Sequence, residues 1–228
     1  MKRFRILMAL FVVVVFSGLV FAGSAGDEAL QKLMDGNKRF VSGNLAQKDL
    51  GDAKRKELAK GQKPFAIVVT CSDSRVPPEL LFDQGLGDIF VIRVAGNVVD
   101  PIALGSIEYA AEHLNSPLLF LLGHEKCGAV KATIETKGKP EGNIGAIVKK
   151  IIPATEKAKK KGGTQDEILE TAIKENVKNV YKDIMNKSTI IKHLAQEDKL
   201  KIVAGEYSLT TGKVEMVELP KLAAKHGH

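Results

Sequence analysis

The chain has no tryptophan, aromatic residues make up 5% of its 228 positions, and it carries two cysteines. Without large aromatics, a core must be built from Val, Ile, Leu and Ala. A nucleic-acid role would need a basic patch interleaved with stacking aromatics, and neither is visible. No internal repeat and no low-complexity linker interrupts the sequence. Apolar content of 44% and charged content of 27% are ordinary for a folded domain, which excludes global disorder.

The amino terminus differs from the rest. Lys2, Arg3 and Arg5 precede "ILMALFVVVVFSGLV", and small residues follow in "FAGSAG". This is the layout of a secretory signal peptide. Val20 and Ala22 fit positions −3 and −1, and Ala25 is a second cleavage candidate. The alternative is a retained anchor, but the 15 residues from Ile6 to Val20 fall short of a span of about 20. No cysteine follows the apolar run, so a lipoprotein anchor is excluded. The expected organisation is a leader over 1–22 and a single domain over 23–228, exported to the periplasm without stable membrane association. Loss of the leader takes three positive charges and lowers the net charge from +7 to +4. The remaining surplus sits in Lys/Glu-interleaved helical patterns, read as solvated faces.

Continuous apolar runs at 65–70, 88–94 and 117–123 predict strands covered on both faces, as in a parallel sheet. Between the second and third, "DPIALGSIEYAAEHL" predicts a helix opened by Asp100 and Pro101. Residues 27–43 predict an amino-terminal helix closed by Gly43, whose apolar stripe would need a partner surface. A short helix starts at Asp52. Residues 143–198 predict helix broken at Pro153 and at "KGGTQD", and "KIVAGEYS" and "KVEMVEL" predict a closing hairpin. The expected fold class is α/β: a mostly parallel sheet of four to five strands flanked by helices, with an N-terminal helical arm.

Cys71 follows the first strand in "CSDSR", and Cys127 follows the third in "GHEKCGAV". In a parallel sheet both lie at the carboxyl edge, where open α/β sheets carry ligands. In an oxidising compartment the pair reads as a disulfide. With His124 three residues before Cys127, it reads instead as a tetrahedral Zn²⁺ site with a fourth position open. Asp73 either fills that position or is held away by a bidentate pair with Arg75.

C-x-D-x-R followed after 53 positions by H-x-x-C resembles the signature of the β-class carbonic anhydrases. The resemblance runs on through "GQKPFAIVVTCSDSR", "GDIFVIRVAGN" and "SIEYAAEHL" to the last strands. It implies one Zn²⁺ per chain on Cys71, His124 and Cys127, with Asp73 and Arg75 as a catalytic dyad and Asp73 a fourth ligand only in a closed state. It implies substrate contacts from Gln62, Phe90, Tyr109 and the Gly128 amide, with Tyr109 reaching across a dimer interface. The implied reaction is reversible hydration of CO₂ to bicarbonate by a zinc-bound hydroxide, in a homodimer or a multiple of dimers. A CS₂ or COS hydrolase on the same scaffold, or a non-enzymatic exported zinc protein, are the alternatives. Some members bind an inhibitory bicarbonate through a Trp, an Arg and a Tyr. Arg93 matches that Arg, but Val68 stands at the Trp position, so the open form is expected, with water on zinc.

Overall fold

In a computed structural model, residues 24–136, 140 and 142–221 are described. The expected leader lies outside them. Helix α1 (Ala25–Ser42) starts on a capping box in which Ser24 and Asp27 satisfy each other's backbone N–H, and it ends on Gly43 in the left-handed conformation. Helix α2 (Asp52–Leu58) follows. The sheet comprises β1 (Ala66–Thr70), β2 (Ile89–Arg93), β3 (Leu118–His124), β4 (Lys201–Tyr207) and β5 (Val214–Val217), in the order β2-β1-β3-β4-β5. β2, β1, β3 and β4 run parallel, and β5 closes antiparallel on β4.

Side chains alternate across the sheet and divide the core in two. One face presents Ile67, Val69, Leu119 and Leu121 to α4 (Pro101–Glu108), α7 (Gln165–Lys187) and α8 (Thr189–Gln196). The other presents Ala66, Val68, Leu118 and Phe120 to α1 and to the short α3 (Pro78–Leu81). All five β1 residues are buried, as a strand covered on both faces requires. Asp100 caps α4 by accepting from the Ala103 N–H, with Pro101 at its first turn.

Two expectations are corrected. The stripe of α1 needs no partner surface, because Ala29 and Leu33 are buried against the chain's own sheet. Asn37 pins the helix there: its amide donates to the carbonyls of Leu81 (3.1 Å) and Gly212 (2.9 Å) and accepts from the Val214 N–H (2.9 Å). The second correction concerns Pro153, which does not break its helix. α6 runs unbroken over Ile144–Lys161. The proline leaves the Lys149 carbonyl without its helical donor, and Lys149, Ile152 and Pro153 all lie on the exposed side, where water can serve it. The break at "KGG" is present, between α6 and α7.

Candidate metal centre

β1 and β3 are neighbours in register, Thr70 beside Leu122. The chain leaves β1 at Cys71, ends β3 at His124, and turns through Lys126 in the left-handed region into α5 (Gly128–Glu135), with Cys127 as its N-cap residue. Sheet register alone thus delivers three donors to one rim. The ligand atoms of Cys71, His124 and Cys127 lie within 4.8 Å of one another, and all three residues are buried. Both cysteines are free, so the disulfide reading fails.

His124 Nδ1 lies 2.9 Å from the Glu125 carbonyl. A carbonyl only accepts, so Nδ1 carries the proton and Nε2 presents its lone pair to the cluster. That Nε2 is buried without a hydrogen-bond partner. A buried, unpaired nitrogen between two thiols is what a tetrahedral metal such as Zn²⁺ would satisfy, so the donor set fits the ion. The thiols are unequal. A hydrogen bond with Cys127 draws the Cys71 thiol well below its usual range, against the opposing effect of burial. The same interaction, together with burial, pushes Cys127 up; the N–H groups of Val130 and Ala129 at the start of α5 pull it the other way.

Asp73 borders the cluster, its Oδ2 3.9 Å from His124 Nε2. Arg75 grips it by two parallel bonds, Nε to Oδ1 at 2.9 Å and Nη2 to Oδ2 at 2.7 Å, and adds its backbone N–H at 3.0 Å. The Arg75 guanidinium holds the Asp73 carboxyl well below the usual carboxylate range.

The other expected site residues divide into two groups. Gly128 is exposed at the first turn of α5, right after Cys127. Phe90 and Tyr109 face each other, ring centroids 6.3 Å apart, but Phe90 pairs with Ile67, four residues before Cys71, which sets it roughly 13 Å back along the sheet from the cluster. Gln62 is exposed and precedes β1, whereas Cys71 follows it. The five strand residues between them rise about 17 Å, at roughly 3.3 Å each, so Gln62 and the cluster occupy opposite edges of the sheet.

Three supports have roles that the sequence does not assign, Arg93 matching there only the arginine of an inhibitory-bicarbonate pocket. Arg93 donates to the carbonyls of Cys71 (3.0 Å) and Asp73 (2.5 Å), which fixes the loop that carries both. The Gly96 N–H donates to Cys71 Sγ at 3.2 Å. Asn176 donates to the Gly96 carbonyl at 2.8 Å. The G-N dipeptide at 96–97 was the one available cue, since it marks a turn.

A parallel sheet that gathers two thiols, an imidazole and an arginine-clamped carboxylate at its carboxyl edge defines an α/β protein with a site fit for a metal ion. The family described as carbonic anhydrase matches residues 66–214. The carbonic anhydrase of Mycolicibacterium smegmatis is 40% identical over 191 residues, covering 82% of this chain and 91% of its own. Carbonic anhydrase 2 of Mycobacterium tuberculosis is 39% identical over 189 residues, covering 81% and 89%. Among solved structures, the Coccomyxa β-carbonic anhydrase in complex with acetazolamide has a TM-score of 0.68 at 26% identity, covering 82% of this chain and 86% of its own. The β-carbonic anhydrase CafA of Aspergillus fumigatus has a TM-score of 0.68 at 26% identity, covering 86% and 92%. The chain belongs to the β-class carbonic anhydrase family, enzymes whose general reaction is the hydration of carbon dioxide.

Proposed function

We propose that the protein interconverts CO₂ and bicarbonate, CO₂ + H₂O ⇌ HCO₃⁻ + H⁺, with one Zn²⁺ per chain held by Cys71, His124 and Cys127. The observation that carries this reading is the unpaired, buried His124 Nε2 within 4.8 Å of both thiols. Bound there, zinc would supply a Lewis acid that makes water ionise near neutral pH.

The rest falls to the chain's own residues. Asp73, ionised and locked by Arg75, accepts a hydrogen bond from the attacking water and aims its lone pair at the substrate carbon. Arg75 keeps that carboxylate off the metal, so the fourth position stays open. Phe90 and Tyr109 would provide an apolar wall that suits a small, uncharged substrate from a second copy of the chain, Tyr109 reaching across the dimer interface. The Gly128 N–H is one of the first donors of α5, which helical bonding leaves free, and it is placed to stabilise charge on a substrate oxygen. Gln62 completes the pocket only from a second copy of the chain, since its own cluster is at the far sheet edge. A homodimer supplies it. β2 is an edge strand, and large apolar side chains, Ile102 (81% exposed) and Tyr109 (47%), lie uncovered on and just beyond α4. Among solved relatives of the same fold, the Sordaria macrospora β-carbonic anhydrases are tetrameric.

Export to the periplasm follows from the leader. Cleavage after Ala22 preserves the Ser24 cap of α1, which cleavage after Ala25 would remove. Among the described residues no helix is long and apolar enough to cross a membrane. The test is stopped-flow CO₂ hydration by the zinc-loaded mature protein beside its Cys71→Ser variant. We expect catalysis by the former and loss of at least about two orders of magnitude in the latter, as removal of a metal ligand predicts. Equal rates would overturn the reading.

A further inference from the structure

The turn that follows β2 approaches Cys71 from behind. Gly96 adopts φ +65°, where an L side chain is strained. A Cβ there would also come 2.7 Å from Ile151 Cδ1. The turn is closed by the Asn97 N–H on the Val94 carbonyl (2.8 Å) and tied to β1 by the Val94 N–H on the Thr70 carbonyl (3.1 Å). The first of these bonds also sets the plane of the Gly96–Asn97 peptide and so the direction of the Gly96 carbonyl, but neither bond ties the turn to α7. Asn176, eighty residues on in α7, holds that carbonyl.

Asn176 is 1% exposed, and its Oδ1 has no hydrogen-bond partner. A half-satisfied buried amide costs stability, and an aliphatic side chain would sit beside Ile173 and Val177 without that cost. Its one side-chain hydrogen bond is to the turn, and the turn's Gly96 N–H is bonded to the Cys71 sulfur. The carbonyl and the N–H of Gly96 lie in adjacent peptide planes that meet at its Cα, so an anchored carbonyl restrains the N–H through the φ +65° and ψ +21° that Gly96 keeps. A hydrogen bond to a ligating thiolate orients the sulfur and draws charge from it, which sets how strongly the sulfur donates to a metal.

We propose that Asn176 is a positioning residue of the metal centre: by anchoring the turn to α7 at the Gly96 carbonyl it keeps the Gly96 N–H within reach of Cys71 Sγ and so tunes metal binding. The inference rests on Cys71 being a metal ligand. Asn176→Leu keeps the bulk and removes the donor. Ile184→Ala, in the buried face of α7 two turns further on, controls for destabilisation alone. Two properties are read on the full mature protein: the sulfur-to-cobalt charge-transfer absorption after cobalt loading, and zinc affinity by chelator competition. Asn176→Leu is expected to shift the charge-transfer band and to weaken zinc about tenfold. Ile184→Ala should lower the melting temperature and leave both readings at wild-type values. If the leucine variant does not fold, Asn176→Ser, whose hydroxyl falls short of the carbonyl, is read in the same way. A wild-type band with zinc affinity within about twofold in the Asn176 variant, or an equal change in Ile184→Ala, would overturn the inference. A wild-type protein without any sulfur-to-cobalt band is a different failure, because it would remove Cys71 as a ligand altogether.

Discussion

On the proposed reading, Arg75 adds little to stability and much to the chemistry. Its guanidinium is 55% exposed, and ion pairs in that setting add little to folding. Its geometry on Asp73 is nevertheless bidentate and further fixed by a backbone bond. Arg75→Ala is therefore expected to leave the melting temperature nearly unchanged while the neutral-pH rate of CO₂ hydration falls about 10- to 100-fold, zinc being retained. A fall in rate matched by loss of zinc would assign Arg75 to metal binding instead. The donors and the dyad were legible in the sequence because they sit in two short segments, each just after a strand. The roles of Gly96, Arg93 and Asn176 were not. Gly96 and Arg93 reach Cys71 from 25 and 22 residues away, and Asn176 reaches Gly96 from 80, each through a backbone group that leaves no residue-type signature.

At the scale of elements, α1 is joined to the far end of the chain. Asn37 bridges the carbonyls of Leu81 and Gly212 and the N–H of Val214 from a buried position. Asn37→Ala strands those groups and is expected to cost about 2 kcal/mol, a fall of roughly 6 °C in melting temperature for a chain of this size. A change under about 1 °C, within the noise of a surface substitution, would show that α1 contributes little to global stability. β1 and β3 were legible because burial on both faces leaves unbroken apolar runs, β5 because its residues alternate beside a turn signal, and the start of α4 because Asp100-Pro101 is a local helix signal. The course of α6 through Pro153 was not, since whether a proline breaks a helix depends on which side of it meets water. Nor was the docking of α1, since an apolar stripe does not name the surface that covers it.

For the whole molecule, the sheet edge sets the division of labour. The metal donors converge within one chain, whereas Gln62 stands at the opposite edge, so the account requires a second copy to complete the pocket. The central claim of the proposed function concerns the state of the site: Asp73, held well below the usual carboxylate range by Arg75, would stay on the guanidinium and leave the fourth position of a bound metal to water. Because its carboxyl titrates far below neutrality, no activity should appear or vanish through Asp73 protonation at neutral pH. The most direct measurement is kcat/KM for CO₂ hydration by the zinc-loaded mature protein, from about pH 6.5 to 9, on either side of the ionisation near 7 typical of zinc-bound water. The account predicts substantial activity that extends down to neutral pH. Activity that emerges only at the alkaline end would contradict it, because that profile means Asp73 leaves Arg75 and closes the metal.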